Sequence, residues 1–418
     1  MSLKPSRPYV VAVVSCLILP ACQMQKMLPG KAAGGDVETR AAVPAEAEAD
    51  VFTIRRAESP SNTELFDTGA ALNVPRHAAS INDTARMLAG LPALTGNDAY
   101  PDVRATSGWS GHAARMNELW RDYEARHHQP IRRWAAREIG DLQGANALFY
   151  PFSGPDFLFA DAFFPRVETV ALCGLESAEP LPQLSSLTGG DIEAGLNGLR
   201  NSLNSVMQFS FFITKDMRTD LQATRFRGVL PVLLVFLARS GHGVESVDSI
   251  RLDGGGNAVL AQAGQGATGL LIRARSPHGG SRRIFYFKQD LSNESMSPGA
   301  PLLRFVSQLG RPPAFTKSAS YLMHEGSFSV IRDYLMQSCR ALVQDPSGVP
   351  YSQLVKSGIN VRLYGDYKGT LQMFSEHNQP DLIAAYRDAQ HPAQGLDFGI
   401  GYLYNPATTS LMVARGGH

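Results

Sequence analysis

The chain carries no excess of either charge: 39 Lys+Arg face 38 Asp+Glu among 418 residues, a formal net charge of +1. That balance argues against a protein built to hold nucleic acid by long-range attraction. Cysteine is scarce, since four residues in this length are too few to staple a fold, and no CxxC pair spaces ligands for a structural zinc. With 18% charged and 44% apolar residues the composition is that of a globular protein, which excludes collagen-like repetition and disorder throughout. GxSxG, HExxH and SxxK are all missing, so the commonest hydrolase signatures do not apply. Neither Tyr9 to Leu19 nor Val229 to Leu237 reaches the ~20 apolar residues that a membrane-spanning helix requires. The length fits about two to three domains, or one large α/β unit.

What is present begins at the N-terminus. Lys4 and Arg7 precede the apolar stretch Tyr9 to Leu19, and LPAC follows at Leu19 to Cys22. A basic start with a short apolar run reads as a secretory signal over residues 1–21. The LPAC stretch resembles the lipobox of bacterial lipoproteins, a resemblance confined to the first 22 residues. It implies cleavage before Cys22, lipid on the Cys22 thiol and, with Gln23 next, the outer membrane. Acyl chains contribute ~0.8 kcal/mol per buried CH₂, enough in combination to hold a folded body on a bilayer. Removal of residues 1–21 takes away Lys4 and Arg7 and no acid, so 39 bases less these two against 38 acids leave a mature net charge of −1. Cys173 and Cys339 are then the remaining thiols besides Cys22; an oxidising compartment permits their pairing, and burial as free thiols is an equally good reading.

Residues 22–60 hold few large apolar side chains and read as the lipid attachment point and a flexible tether. Residues 61–142 read as a helical segment packed on the body. Ser80, Asn82 and Asp83 offer a helix start. Met116, Leu119, Trp120 and Tyr123 form one apolar stripe over 111–127. Pro130 is expected to break the helix, with a second one starting at Ile131. Arg121, Arg126, Arg132, Arg133 and Arg137 alternate with acids and read as a solvated face.

Residues 143–418 alternate between strand and helix patterns. NALFYPF, the helix entered at SGPDF, and ETVALCG give strand, helix, strand with short connections, the signature of parallel pairing. GVLPVLLVFLAR reads as a buried helix, TGLLIRARS and RRIFYFKQ as a hairpin, and 299–309 and 327–343 as helices. SASYLMH is strand-like, INVRLYG a strand, DLIAAYRDA a helix, and LDFGIGYLY with SLMVARG a closing hairpin. The expected fold is α/β: a mixed, mainly parallel sheet with helices on both faces, a Rossmann-like three-layer sandwich, plus the helical N-terminal segment. The terminal order of elements resembles the second half of the Rossmann-like methyltransferase fold. PFSGPDF lacks the glycine pattern of that family's cofactor loop, however, and a secreted protein has no supply of its methyl donor. YPFSGPDF, ALCGLES and SASYLMH resemble segments of a group of bacterial secreted proteins over about residues 140–418, a likeness that brings no activity with it.

In open α/β sheets ligands bind at the carboxyl ends of the strands, which singles out Ser153, Asp156, Glu176, His324 and Asp366. Ser153, His324 and Asp366 supply the residue types of nucleophile, base and orienting carboxylate. Asp156 suits a helix cap as well as a site role. Ser153, Asp156, His324 and Asp366 are therefore the candidate catalytic residues, expected to face one cleft. GQGATG precedes a strand rather than linking strand to helix, so it reads as a loop and not a phosphate cradle. LDGGGN reads as a second glycine loop, and Asp345 to Gly348 as a turn. No cofactor and no metal is expected. The sequence points to a lipid-anchored protein at the periplasmic face of the outer membrane, a binding or assembly component of the cell envelope. Its partners would be the membrane, through the N-terminal lipid, and a small molecule or envelope component, with no nucleic acid. The alternative is an envelope hydrolase using Ser153, His324 and a carboxylate. Whether it is an enzyme is left open.

Overall fold

The computed structural model describes residues 76–416, apart from 95–97, 183, 212–220, 222 and 263–266. The signal segment, Cys22 and the tether expected over 22–60 lie outside the described residues. Ten strands make one mixed sheet: β1 Ala147–Tyr150, β2 Thr169–Gly174, β3 Gly243–Leu252, β4 Ala258–Leu260, β5 Gly269–Arg275, β6 Ser281–Lys288, β7 Ala314–Thr316, β8 Ala341–Gln344, β9 Asn360–Gly365 and β10 Ser410–Arg415. Their order is β4-β3-β5-β6-β2-β1-β7-β8-β10-β9. The central run β6-β2-β1-β7-β8 is parallel throughout. Every pairing outside it is antiparallel. Parallel order is thus limited to four of the nine pairings, fewer than a mainly parallel sheet requires. For β3–β4 and β5–β6 the cause is connection length, because strands joined by short loops can only fold back antiparallel.

Helices cover both faces. Leu148 and Tyr150 of β1 point into a core shared with α1 Arg76–Leu88, α2 Ser107–Tyr123, α3 Gln129–Glu138, α4 Phe157–Phe163, α5 Gly189–Phe209 and α6 Leu230–Arg239. Phe149, between them, points into the opposite core with Phe305 of α7 Pro301–Gln308, Ile331 and Leu335 of α8 Ser329–Ser338, and Leu354 of α9 Tyr351–Lys356. All four residues of β1 are buried, as a parallel strand covered on both sides must be. All ten residues of α6 are buried, with Pro231 in its first turn, where the missing N–H costs nothing.

Four readings of the sequence are corrected. Pro130 does not break the helix. Residues Glu124–His128 form a π turn in which the Gln129 N–H reaches the Glu124 carbonyl, and backbone angles stay right-handed from Tyr123 to Gln129. The widened turn carries the chain past a residue that lacks a donor and whose ring crowds the preceding carbonyls. Residues 341–343, read as the end of a helix, belong to β8; α8 stops at Ser338. SASYLMH is a loop with left-handed backbone at Ser318, Ser320 and Tyr321, followed by a 3₁₀ turn at Leu322–His324. Finally, SLMVARG does not close a hairpin with LDFGIGYLY: β10 inserts between β8 and β9. β9 is consequently flanked on only one side by a long strand and is exposed at Asn360 and Arg362.

Candidate functional site

From β1 the chain builds outward to β2 and β6 on one side and to β7 and β8 on the other. The loops that leave β1 and β7 therefore part at a topological switch point, the crevice where open α/β sheets place ligands. After β1, Asp156 caps α4, its carboxylate accepting from the Phe159 N–H at 3.2 Å. The same carboxylate accepts from Tyr150 Oη at 3.0 Å and is ion-paired with Lys317 Nζ at 2.8 Å, both side chains 2% exposed. Lys317 is the first residue after β7. Its ammonium also donates to the Ser210 carbonyl just beyond α5 and lies 4.3 Å from the centre of the Phe159 ring, a cation–π contact. One buried cation thus ties together the ends of β1, β7 and α5.

Backbone strain collects at the same place. Among the described residues, five non-glycine residues have positive φ: Phe152 (57°), Ser210 (67°), Ser318 (54°), Ser320 (52°) and Tyr321 (58°). Phe152 lies in the loop leading to Asp156, Ser210 gives its carbonyl to Lys317, and the other three follow Lys317 directly. Such conformations cost of order 1–3 kcal/mol each and cluster at ligand clamps and switch regions, where the surroundings hold them in place.

The end of β8 adds Asp345, 2% exposed, which accepts from the N–H groups of Ser318 and Ser347, each at 3.0 Å, and from the Ser347 hydroxyl. Burial pushes its carboxyl up; the Ser347 and Ser318 hydrogen bonds and nearby Lys317 work against that shift. Burial, with Asp156 alongside, also pushes the Tyr150 phenol well above its ordinary range. Two segments close over this edge. The Tyr402 hydroxyl donates to the Ser318 carbonyl at 2.9 Å, and Tyr321 stacks on His377 at 5.4 Å and lies 5.0 Å from Phe374. Gly401 packs so closely on Asp345 that a Cβ there would fall 1.9 Å from its Oδ2.

The four candidate residues are distributed unevenly over this edge. Asp156 is at its centre as helix cap and ion-pair partner. Ser153 is 6% exposed, and its hydroxyl lies between the Gly154 and Cys173 carbonyls (2.9 and 3.1 Å) while accepting from the Cys173 N–H at 2.9 Å, so it stitches the β1 loop to β2. His324 sits in the turn beyond the left-handed loop, its ring 5.1 Å from Tyr321 and 5.6 Å from His377. Burial and neighbouring His377 lower its pKa to about 4. Asp366 emerges at the expected edge, but β9 lies four places from β1, roughly 19 Å at ~4.8 Å per strand. It is half-exposed there and paired with Lys368 at 3.1 Å. No hydrogen bond links Ser153, His324 and Asp366 among the described residues. Glu176 folds back at the end of β2 to accept from Tyr286 Oη at 3.1 Å.

Lys317 and Tyr150 escaped the sequence reading, and Asp345 was read only as turn chemistry. A single lysine inside TKSAS gives no sign that it will be buried. The available signal was the pattern of polar residues directly following short apolar runs at 317 and 345. Chemically, the ammonium is taken up by a carboxylate, a carbonyl and a ring face, which suits it to hold loops in a strained arrangement rather than to abstract a proton. Among the described residues no group of three or more His, Cys, Asp or Glu is placed to hold a metal ion, and no helix is long and apolar enough to cross a membrane. Comparison with protein-family models and with curated proteins finds no match.

Proposed function

We propose that this chain is a lipid-anchored protein of the cell envelope, held at the periplasmic face of the outer membrane through Cys22, whose α/β body acts as a binding or assembly component. The observation that carries the binding reading is the switch-point edge: strained loops converge on a buried Lys317–Asp156 pair, an arrangement that preorganises loops without activating a nucleophile. The hydroxyl of Ser153 is occupied by the β2 backbone, which speaks against an envelope hydrolase built on it. The parallel run β6-β2-β1-β7-β8, with helices against both faces, supports a Rossmann-like three-layer reading of the body. Two measurements test the proposal. Wild-type protein should take up an alkyne-labelled fatty acid and sediment with membranes, and Cys22→Ala should do neither; retention of the variant on membranes overturns the anchor. A fluorophosphonate serine probe should leave the protein unlabelled. Labelling that disappears in Ser153→Ala overturns the binding reading in favour of the hydrolase.

A further inference from the structure

A cluster of bases stands at the end of the sheet opposite the switch point. Arg282, the second residue of β6, shares a face with Ile284 and Tyr286 and so enters the core beneath α3 and α4. Its guanidinium, 1% exposed, is ion-paired with Asp161 of α4, donates to the Phe164 and Pro165 carbonyls at 2.9 and 3.3 Å, and meets His242 Nε2 at 3.2 Å. The same His242 nitrogen lies 3.7 Å from Asp161, which is thus shared between two bases. Further out is Arg132 of α3, which the sequence groups with a solvated face. It is half-buried, and its Nη2 donates to His278 Nε2 in the β5–β6 turn at 2.6 Å. That contact requires a neutral His278, since a protonated imidazole has no lone pair to offer.

His128 completes the cluster. The π turn over Glu124–His128 keeps the chain helical into α3 and sets His128 one turn before Arg132, on the same side of the helix. Turns of this kind recur at functional sites. Both ring nitrogens of His128 are buried and unpartnered, as are His242 Nδ1 and Arg282 Nε, although a neutral imidazole always carries one N–H to donate. The acids within electrostatic reach of these histidines are Asp161 and, for His128, Glu124. Among the described residues neither Arg132 nor exposed Arg166, which acts on His278 from the approach to β2, is ion-paired with a carboxylate. The neighbouring acids are taken: Glu168 lies beside Arg283, Asp397 pairs with Arg133 and Glu138 with Arg137.

We infer that Arg132, His278 and His128 form a binding site for a doubly charged oxyanion, inorganic phosphate or a phosphomonoester. The planar fork of Arg132 matches two oxygens of such a group. His278 changes from accepting a hydrogen bond of Arg132 to donating one to the anion once it takes up a proton, and His128 supplies a further N–H. Burial, with Arg132 next, lowers the His278 pKa in the free protein; a bound anion favours the protonated ring, so binding takes up a proton and tightens as pH falls. A singly charged carboxylate would leave part of this positive charge unanswered.

The test is calorimetric titration of the full chain carrying Cys22→Ala, which stays free of lipid. Inorganic phosphate should bind, and acetate at least about tenfold more weakly. Sulfate, whose own charge is constant over the range, should bind at least about fivefold more tightly at about pH 6 than at about pH 8. Arg132→Gln should lower phosphate affinity at least about tenfold. His278→Asn, at an exposed turn position, should flatten the sulfate pH dependence while circular dichroism stays unchanged, and it carries the test should Arg132→Gln fail to fold. Displacement of phosphate by glycerol 3-phosphate assigns a phosphomonoester as the ligand, and failure to displace assigns the free ion. No heat from phosphate at about 10 mM, acetate binding as tightly as phosphate, a flat sulfate profile, or a folded Arg132→Gln that binds like wild type overturns the inference. Neither the Cys22 anchor nor the switch-point edge enters it, so its failure leaves both standing.

Discussion

Replacing Lys317 by Met tests the centre of the site directly. The substitution keeps most of the volume of the side chain and removes the charge. Asp156 would then keep the Tyr150 hydroxyl and the Phe159 N–H but lose its countercharge in surroundings where both partners are 2% exposed. Breaking one side of a buried pair costs about 3–5 kcal/mol, chiefly because the remaining charge is left uncompensated. Loss of the Ser210 and Phe159 contacts adds to this, while the two surviving hydrogen bonds, each worth about 1.5–3 kcal/mol to a charged acceptor, hold the figure near the lower end. We expect a loss of about 3 kcal/mol in urea unfolding followed by tryptophan fluorescence, with the slope unchanged. Lys317→Met combined with Asp156→Asn should recover at least about 1 kcal/mol of it, since the second change neutralises the stranded carboxylate. A loss below about 1 kcal/mol, or a double variant less stable than Lys317→Met alone by the full cost of Asp156→Asn, would refute the reasoning, because either result means that the two groups do not depend on each other.

Acid should weaken the fold through its buried histidines. Burial lowers the pKa of His112, His127, His242 and His324 to about 4 in the folded chain, so the unfolded chain binds more protons below its own value near 6.5; stability is complete above about pH 6.5 and declines as pH falls from there toward 4. A stability profile flat from pH 7 to 4.5 would contradict this, and His242→Gln should soften the decline. Cys173 and Cys339 are free and buried; burial raises the Cys173 thiol strongly and pushes Cys339 up to about 12. Neither should react with a water-soluble disulfide reagent until denaturant is added, and rapid native-state labelling at either position would show that the second core opens.

Much of the fold was legible where the apolar pattern and the turn chemistry agreed. GVLPVLLVFLAR announced a buried helix through its proline and glycine punctuation, and β5 with β6 announced a hairpin. Failures came where tertiary contacts decided. ALVQ at 341–344 is too short to declare itself a strand next to the helical pattern before it, and it becomes one because β7 and β10 offer it ladders on both sides. The destination of β10 was equally hidden, since a hairpin with the neighbouring segment looks the same in sequence as insertion between two earlier strands. At the site, the rule that ligands gather at carboxyl ends led to Ser153 and Asp156 but overlooked Lys317, whose burial depends on Ser210, more than a hundred residues away in the chain. Asp366 was placed at the correct edge and on the wrong side of three intervening strands, because direction can be inferred from a pattern of polar and apolar residues whereas lateral position cannot.

The late arrival of β10 bears on how the molecule is assembled. β8 and β9 do not pair with each other; both pair with β10, which lies between them and follows every other strand in the chain. Until Ser410–Arg415 has been synthesised, the sheet ends at β8 with an unsatisfied ladder, and Asn360–Gly365 has no long strand to pair with. Closing that gap joins residues about 70 and 50 positions apart, the kind of distant contact that slows folding and prolongs exposure of bare strand edges. Such an order ties the completion of the sheet to the strand that follows all the others, and any product that stops before it would leave one half of the body with an adhesive edge.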